Sequence, residues 1–274
     1  MSTADGAAEE IAAKPTSSIT TPTKLLVLDF DGTVCLGDAP VLSYARHADA
    51  ALAERDPAHA DGFVEHVVAL FLSGPDAVAE AADRESGDEA SAPEVAAALA
   101  HVVDSADGYA ATAALARSRG AQREDLDAAY EASRRELAAG LLETWAPPGL
   151  ADFLGRSRER ADVVLVTNAT ETGVAQQLAH FGLKDAFDEI VTSAGKPDGM
   201  PAILRRLRQQ RGLADAPERL ASVGDIWRND LAPAADQGSA TALIERFAAP
   251  DAQPTFRAPT FEELYAPLEA WLSA

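Results

Sequence analysis

The sequence is poor in cysteine, lysine and histidine, with one, four and five residues respectively in 274. A single cysteine, Cys35, excludes an intrachain disulfide and fits a reducing compartment, and a lone thiol beside a strand end reads as a small packing residue. The histidines at 47, 59, 66, 101 and 180 have no metal-ligand spacing and read as single surface or core residues. No apolar run approaches the ~18 residues of a membrane span. The first residues carry Asp and Glu where a signal peptide carries positive charge, and no apolar h-region follows. The expectation is a cytoplasmic protein with no membrane partner. Basic charge is scarce as well: 23 Lys and Arg against 44 Asp and Glu give a net charge of −21, a surface that repels nucleic acid.

Several motifs are also missing. An EF-hand loop starting at Asp29 needs glycine at 34 and glutamate at 40, where Val34 and Pro40 stand. A phosphate-binding P-loop fails because Pro197 follows Gly195-Lys196 and Ile190 occupies the first glycine position. GxGxxG, HExxH and GxSxG do not occur.

What is present is an ordinary globular composition, 47% hydrophobic and 24% charged, with enough length for one large domain or two modest ones. Residues 1–23, small, polar and punctuated by prolines, read as a disordered lead-in. "KLLVLDFDGTVC" (24–35) then places an apolar strand before two aspartates and a glycine. From about Ala39 to Thr144 the pattern is helical throughout, alanine-rich with apolar residues at three- and four-residue steps. Its segments read as "VLSYARHADAALAERD", "DGFVEHVVALFL", "APEVAAALAHVVDSADGYAATAALARSRG" and "REDLDAAYEASRRELAAGLLETW". Residues 48–140 hold 19 acids against seven Arg and no Lys, which reads as a solvated helical surface.

After "APPGL" strands and helices alternate. "ADVVLVTNAT", "FDEIVTSA", "RLASVGD" and, as the last strand, "SATALIE" are separated by helical stretches, and "TFEELYAPLEAWLS" closes the chain. This is the pattern of an α/β protein with a parallel sheet covered on both faces, interrupted after its first strand by an all-α insert. The expected division is a core of 24–38 and 146–274 with a helical cap over 39–145.

The strand ends share one chemistry. Asp29 and Asp31 follow the first strand, Thr167 and Asn168 the second, Lys196 lies in "SAGKPDG", and Asp225 and Asp230 lie in "VGDIWRND". In a parallel sheet these carboxyl ends lie along one edge. Acids gathered there repel one another unless a divalent cation joins them, and hard oxygen donors suit Mg²⁺. Lys196 and Thr167 fit a phosphate beside it. Asp230 also suits a helix N-cap. Arg46, His47, Arg117, Arg134 and Arg135 read as ordinary surface residues, and Trp227 and Arg228 as loop decoration.

"DFDGT", "VTNA", "GKPDG" and "VGDIWRND" resemble, in order, the four motifs of the haloacid dehalogenase superfamily in its phosphatase-like branch. The resemblance spans residues 25–230, and the insert matches in position and helical character alone. It implies a Rossmann-like core and Mg²⁺-dependent transfer of a phosphoryl group from a small phosphorylated substrate to water. Asp29 would be the nucleophile, Asp31 the general acid and base, and Lys196 the partner of both nucleophile and phosphate. Thr167 and the amides of Asn168 and Gly32 would hold phosphoryl oxygens, and Thr33 would brace the turn. The metal would bind through Asp29, the carbonyl of Asp31 and Asp225, with Asp230 as support or further ligand. The helical insert is expected to act as a mobile cap hinged near 34–40 and 143–149. A phosphomutase of the same superfamily, or an idle fold used for binding, are the alternatives.

Overall fold

The computed structural model describes residues 24–74, 92–247 and 249–274. The lead-in 1–23, residues 75–91 and residue 248 lie outside the described residues. The first apolar run forms β1 (Lys24–Leu28), buried from Leu25 onward. Between it and the next strand lie α1 (Ala39–Arg55), α2 (Phe63–Ser73), α3 (Ala92–Val102), α4 (Gly108–Ser118), α5 (Arg123–Ala138) and α6 (Leu150–Ser157). The remainder runs β2 (Ala161–Val166), α7 (Glu171–His180), β3 (Glu189–Val191), α8 (Met200–Gln210), β4 (Leu220–Gly224), α9 (Ala232–Ala235), β5 (Ala240–Ile244), β6 (Phe256–Ala258) and α10 (Phe261–Ser273). Among the described residues no helix is long and apolar enough to cross a membrane.

Among the described residues the six strands are all parallel, in the order β3-β2-β1-β4-β5-β6. The chain builds outward from β1 on one side, then returns to lay β4, β5 and β6 on the other. Strand order therefore reverses between β1 and β4, where the departing loops diverge and leave a crevice at the carboxyl edge. Asp29 follows β1 and Asp225 follows β4, so two of the acids flank that crevice.

Alternation along β1 covers both faces of the sheet, as a parallel sheet requires. Leu26 and Leu28, with Val163 and Leu165 of β2, pack against α6, α7 and α10. Leu25 and Val27, with Val164 and Val166, pack against Leu204 and Leu207 of α8. Each fully buried leucine contributes about 1.5–3 kcal/mol, which fixes the strand and hence the aspartate at its end. Helices α1 to α5 have an apolar cluster of their own, with Ala45, Ala48 and Leu52 against Val64, Val67, Leu115 and Leu126. The two segments that join these helices to the sheet meet as a bridge: Leu36 and Trp145 exchange backbone hydrogen bonds of 2.8 and 3.1 Å.

The structure differs from the sequence reading in four places. "SATALIE" supplies β5 but is not the last strand, because the three-residue β6 pairs beyond it. The helical segment from Ala92 divides at "DSAD", where Asp107 turns extended and its side chain caps α4 by accepting the Ala110 amide at 2.7 Å. Helix α6 after "APPG" carries no signal in the sequence reading; Gly149, at φ 75°, turns the chain into it. "FDEIVTSA" shortens to Glu189–Val191, since the chain turns at Ser193 (φ 50°).

Candidate active site

Beyond β1 the chain folds into a tight loop in which the Phe30 carbonyl accepts the amides of Thr33, Val34 and Cys35 at 3.2, 2.9 and 2.8 Å. Gly32 sits at φ +85°, and a Cβ there would lie 2.1 Å from Oδ2 of Asp225. Glycine is required both by the turn and by the approach of that carboxylate. The Gly32 amide donates to the Cys35 carbonyl at 2.9 Å, so it serves the loop; this corrects the expectation that it faces a phosphate. Nor does the Thr33 hydroxyl brace the turn: its Oγ1 is buried without a hydrogen-bond partner.

Lys196 binds the strand ends together. Its ammonium donates to Asp29 Oδ1 at 2.5 Å, Asp230 Oδ1 at 2.6 Å and the Val166 carbonyl at 3.0 Å. Asn168 fixes the lysine's backbone from both sides, accepting its amide at 2.7 Å and donating to its carbonyl at 3.1 Å. Thr167 Oγ1 accepts the Ala169 amide at 3.0 Å, which turns the chain after β2. Asp230 lies in a single π-helical turn, Trp227–Leu231. Its second oxygen accepts the Ile226 amide at 3.1 Å, and its carbonyl accepts Ser222 Oγ of β4 at 2.8 Å. Both Asp230 oxygens are thus engaged by protein groups.

Oxygens of Asp29, Asp225 and Asp230, all buried, lie within 4.8 Å of one another. Burial pushes Asp29 up to about 7, against the pull of Lys196. Burial, then the charges of Asp29 and Asp230, hold Asp225 well above the usual carboxylate range. Burial works against the Lys196 ammonium, but Asp230 and Asp29 outweigh it and keep the lysine charged. One ammonium cannot balance three carboxylates, and Asp225 Oδ1 is buried without a partner. A hard divalent cation fits this donor set, with Asp29 and Asp225 the groups that have oxygens to offer.

Asp29, Asp31, Thr167, Asn168, Lys196 and Asp230 line one cavity of about 490 Å³. Gly32 and Asp225 lie instead at a smaller recess that also touches Asp31. The larger cavity is roofed by the inserted helices through Tyr44, Tyr109 and Tyr130. Reading the sequence alone misses all three; the signal was the concentration of the chain's few tyrosines in the insert.

Arg134 is a correction. It has no exposed surface, and its Nη1 donates to Asp31 Oδ1 at 3.2 Å and lies 3.5 Å from the Tyr109 hydroxyl. Burial opposes its charge, but Asp31 more than restores it. α5 approaches this closely because α7 breaks at Gly173 (φ 91°), where a Cβ would meet the Arg134 carbonyl at 3.2 Å. Half-exposed Arg46 and His47 instead share Glu136 on the insert's surface. Cys35 is buried, and burial pushes its thiol far up, so it packs rather than reacts.

Residues 23–238 match the model of the haloacid dehalogenase-like hydrolases. The chain belongs to this family. A stretch of the hydrolase is 34% identical over 98 residues to a phosphoglycolate phosphatase of Chromobacterium violaceum, covering 35% of this chain and 44% of that one. The chain thus spans less than half the length of the curated relative it matches. A predicted phosphoglycolate phosphatase from Haemophilus somnus shares the hydrolase's fold at TM-score 0.55 and 17% identity, over 91% of this chain and 99% of that one. So does a putative family hydrolase, YfnB of Bacillus subtilis, whose structure was determined with magnesium bound, at TM-score 0.53 and 19% identity over 90% and 99%.

Proposed function

We propose that this hydrolase is a Mg²⁺-dependent phosphomonoesterase that acts through a phosphoryl group carried on Asp29. The observation that supports it most is the contact of Lys196 with Asp29 at 2.5 Å in a cavity that Asp31 also lines. Asp29 Oδ attacks phosphorus while the bond from phosphorus to the ester oxygen breaks, and the Asp31 carboxyl gives that oxygen its proton, releasing an alcohol. Asp31, now a carboxylate, takes a proton from water as the water oxygen attacks phosphorus. The Asp29–phosphorus bond breaks and inorganic phosphate leaves.

Thr167 and the Asn168 amide hold phosphoryl oxygens, and Lys196 offsets their charge and keeps Asp29 ionised. Asp29, Asp225 and the Asp31 carbonyl would hold Mg²⁺, which when bound offsets the charge shared by the acids and the phosphate. Asp230 acts by fixing Lys196. The inserted helices over 39–145 serve as a cap that excludes bulk water, hinged at the Leu36–Trp145 pair. The activity that names the Chromobacterium relative, over the stretch it shares, also favours a phosphate ester as substrate.

Hydrolysis of an aryl phosphate with and without Mg²⁺, repeated with Asp29→Asn, tests the reading. Turnover without the metal, or turnover that survives the substitution, counts against it.

A further inference from the structure

The cavity above Asp29 is larger than phosphoryl transfer alone needs. Its volume is about 490 Å³. A phosphorylated two-carbon acid would leave much of it unfilled.

The cap wall of that cavity has a distinctive composition. Three of the chain's four tyrosines line it, and none of its nine phenylalanines does so among the described residues. The rings of Tyr44, Tyr109 and Tyr130 pack on one another, with centroids 5.8–6.0 Å apart. Phenylalanine would fill an apolar cluster equally well; a wall of phenols presents hydroxyls together with ring faces. Beside them Asp107 lines the cavity. Its carboxylate caps α4, accepting the Ala110 amide at 2.7 Å and engaging the Tyr109 amide, while it also borders the cavity. Acids outnumber bases in the lining, Asp29, Asp31, Asp107 and Asp230 against Lys196 and the exposed Arg228, while Arg134 is held by Asp31 and Lys196 by Asp29 and Asp230.

We infer that the group esterified to the phosphate is an uncharged polyol, a sugar or sugar alcohol of more than two carbons, rather than a carboxylic acid. This rests on the phosphatase reading above and names the substrate class for that site. Carbon-bound hydrogens of a polyol lie against tyrosine faces, its hydroxyls donate to the Asp107 carboxylate, and the Tyr44 hydroxyl is available to the rest. A carboxylate in the same place meets Asp107 as a like charge, which repels it.

The test compares kcat/KM of the full chain with Mg²⁺ for glycerol 3-phosphate and a hexose 6-phosphate against phosphoglycolate and 3-phosphoglycerate, with an aryl phosphate as reference. At least one polyol ester is expected to exceed both acids by about tenfold, the value of one hydrogen bond to a charged group. Asp107→Asn keeps the helix cap, since asparagine caps as well as aspartate, and removes the charge. It is expected to raise the ratio of acid to polyol ester about tenfold. Tyr44→Phe keeps the ring and is expected to lower the ratio of polyol to aryl ester by a similar factor. Aryl turnover with an acid ester preferred, or ratios unmoved by both variants, overturns the polyol assignment alone. Absence of Mg²⁺-dependent turnover of every ester overturns it together with the phosphatase reading.

Discussion

Arg134, carried by an inserted helix, and Asp31, carried by the loop after the first strand, form an ion pair across the boundary between insert and sheet, at 3.2 Å. The arginine has no exposed surface and the aspartate is about a quarter exposed, at 27%. Removing the arginine leaves a carboxylate that water can still reach, so the loss of stability stays below that of a fully buried pair. Arg134→Met is expected to cost about 2 kcal/mol in chemical denaturation. It should also lower kcat by about tenfold or more with a smaller change in KM, because Asp31 loses the donor that orients it. Unaltered kcat in a folded variant would remove any role for the pair in turnover.

Asp29→Asn is expected to cut phosphate-ester hydrolysis by about 10⁶-fold, the scale on which loss of a covalent nucleophile is felt. Rapid-quench analysis with a labelled substrate should find acid-stable label on the wild-type chain and none on the variant. Label on both would place the nucleophile elsewhere.

Much of this centre is legible in the sequence because buried parallel strands are short apolar runs, and the residues just past each run lie on one edge. Asp29, Lys196, Asp225 and Asp230 come together by that rule. Arg134 is not legible: on α5 it sits among polar neighbours in "EASRRELA", and its burial depends on the break at Gly173 in a different helix. The Gly32 amide escapes for a related reason, since its acceptor depends on how tightly the loop closes on Cys35. β6 is only three residues, too short for an alternation to register, and α6 is hidden behind two prolines. Asp107 breaks a run that composition alone makes helical, because its side chain offers the Ala110 amide a partner that the helix does not.

Metal removal should interact with pH in a defined direction. Asp29 is raised from 3.8 to about 7 by burial, and Asp225 is raised as well. A carboxyl raised on folding favours the native state while protonated; that contribution is complete below the unfolded value and is lost as pH climbs through the folded one. With the cation chelated, the site therefore becomes a growing liability from pH 3.8 to about 7. Mg²⁺ relieves it by pairing with the ionised forms. The gain in Tm from saturating Mg²⁺ over chelator is expected to be larger at pH 8 than at pH 5. An equal gain at both contradicts the assignment of Asp29 and Asp225 as ligands.

Gly32→Ala should weaken Mg²⁺ binding without touching a ligand directly. The added methyl would lie 2.1 Å from Asp225 Oδ2, so the carboxylate must move, and φ +85° adds about 1 kcal/mol of strain. Calorimetric titration with Mg²⁺ is expected to give a Kd raised at least about tenfold, the cost of misplacing one carboxylate. Wild-type affinity would mean that Asp225 is not among the ligands.

Asp49 of α1 accepts the amides of Val64 and Glu65 at 3.0 and 2.9 Å, and so caps α2 from a neighbouring helix. Asp49→Ala is expected to lower stability by about 1–2 kcal/mol in thermal or chemical unfolding. The result to expect against it is a Tm indistinguishable from wild type.

The reciprocal hydrogen bonds between Leu36 and Trp145 bring the outgoing and returning chain side by side before either reaches the sheet. To β1 and β2, the intervening hundred or so residues are therefore topologically a hairpin. Mutations that lengthen, shorten or reshape the excursion leave the strand register untouched as long as that one pair is kept. Natural variation can then exchange the roof while the chemistry beneath it is inherited intact.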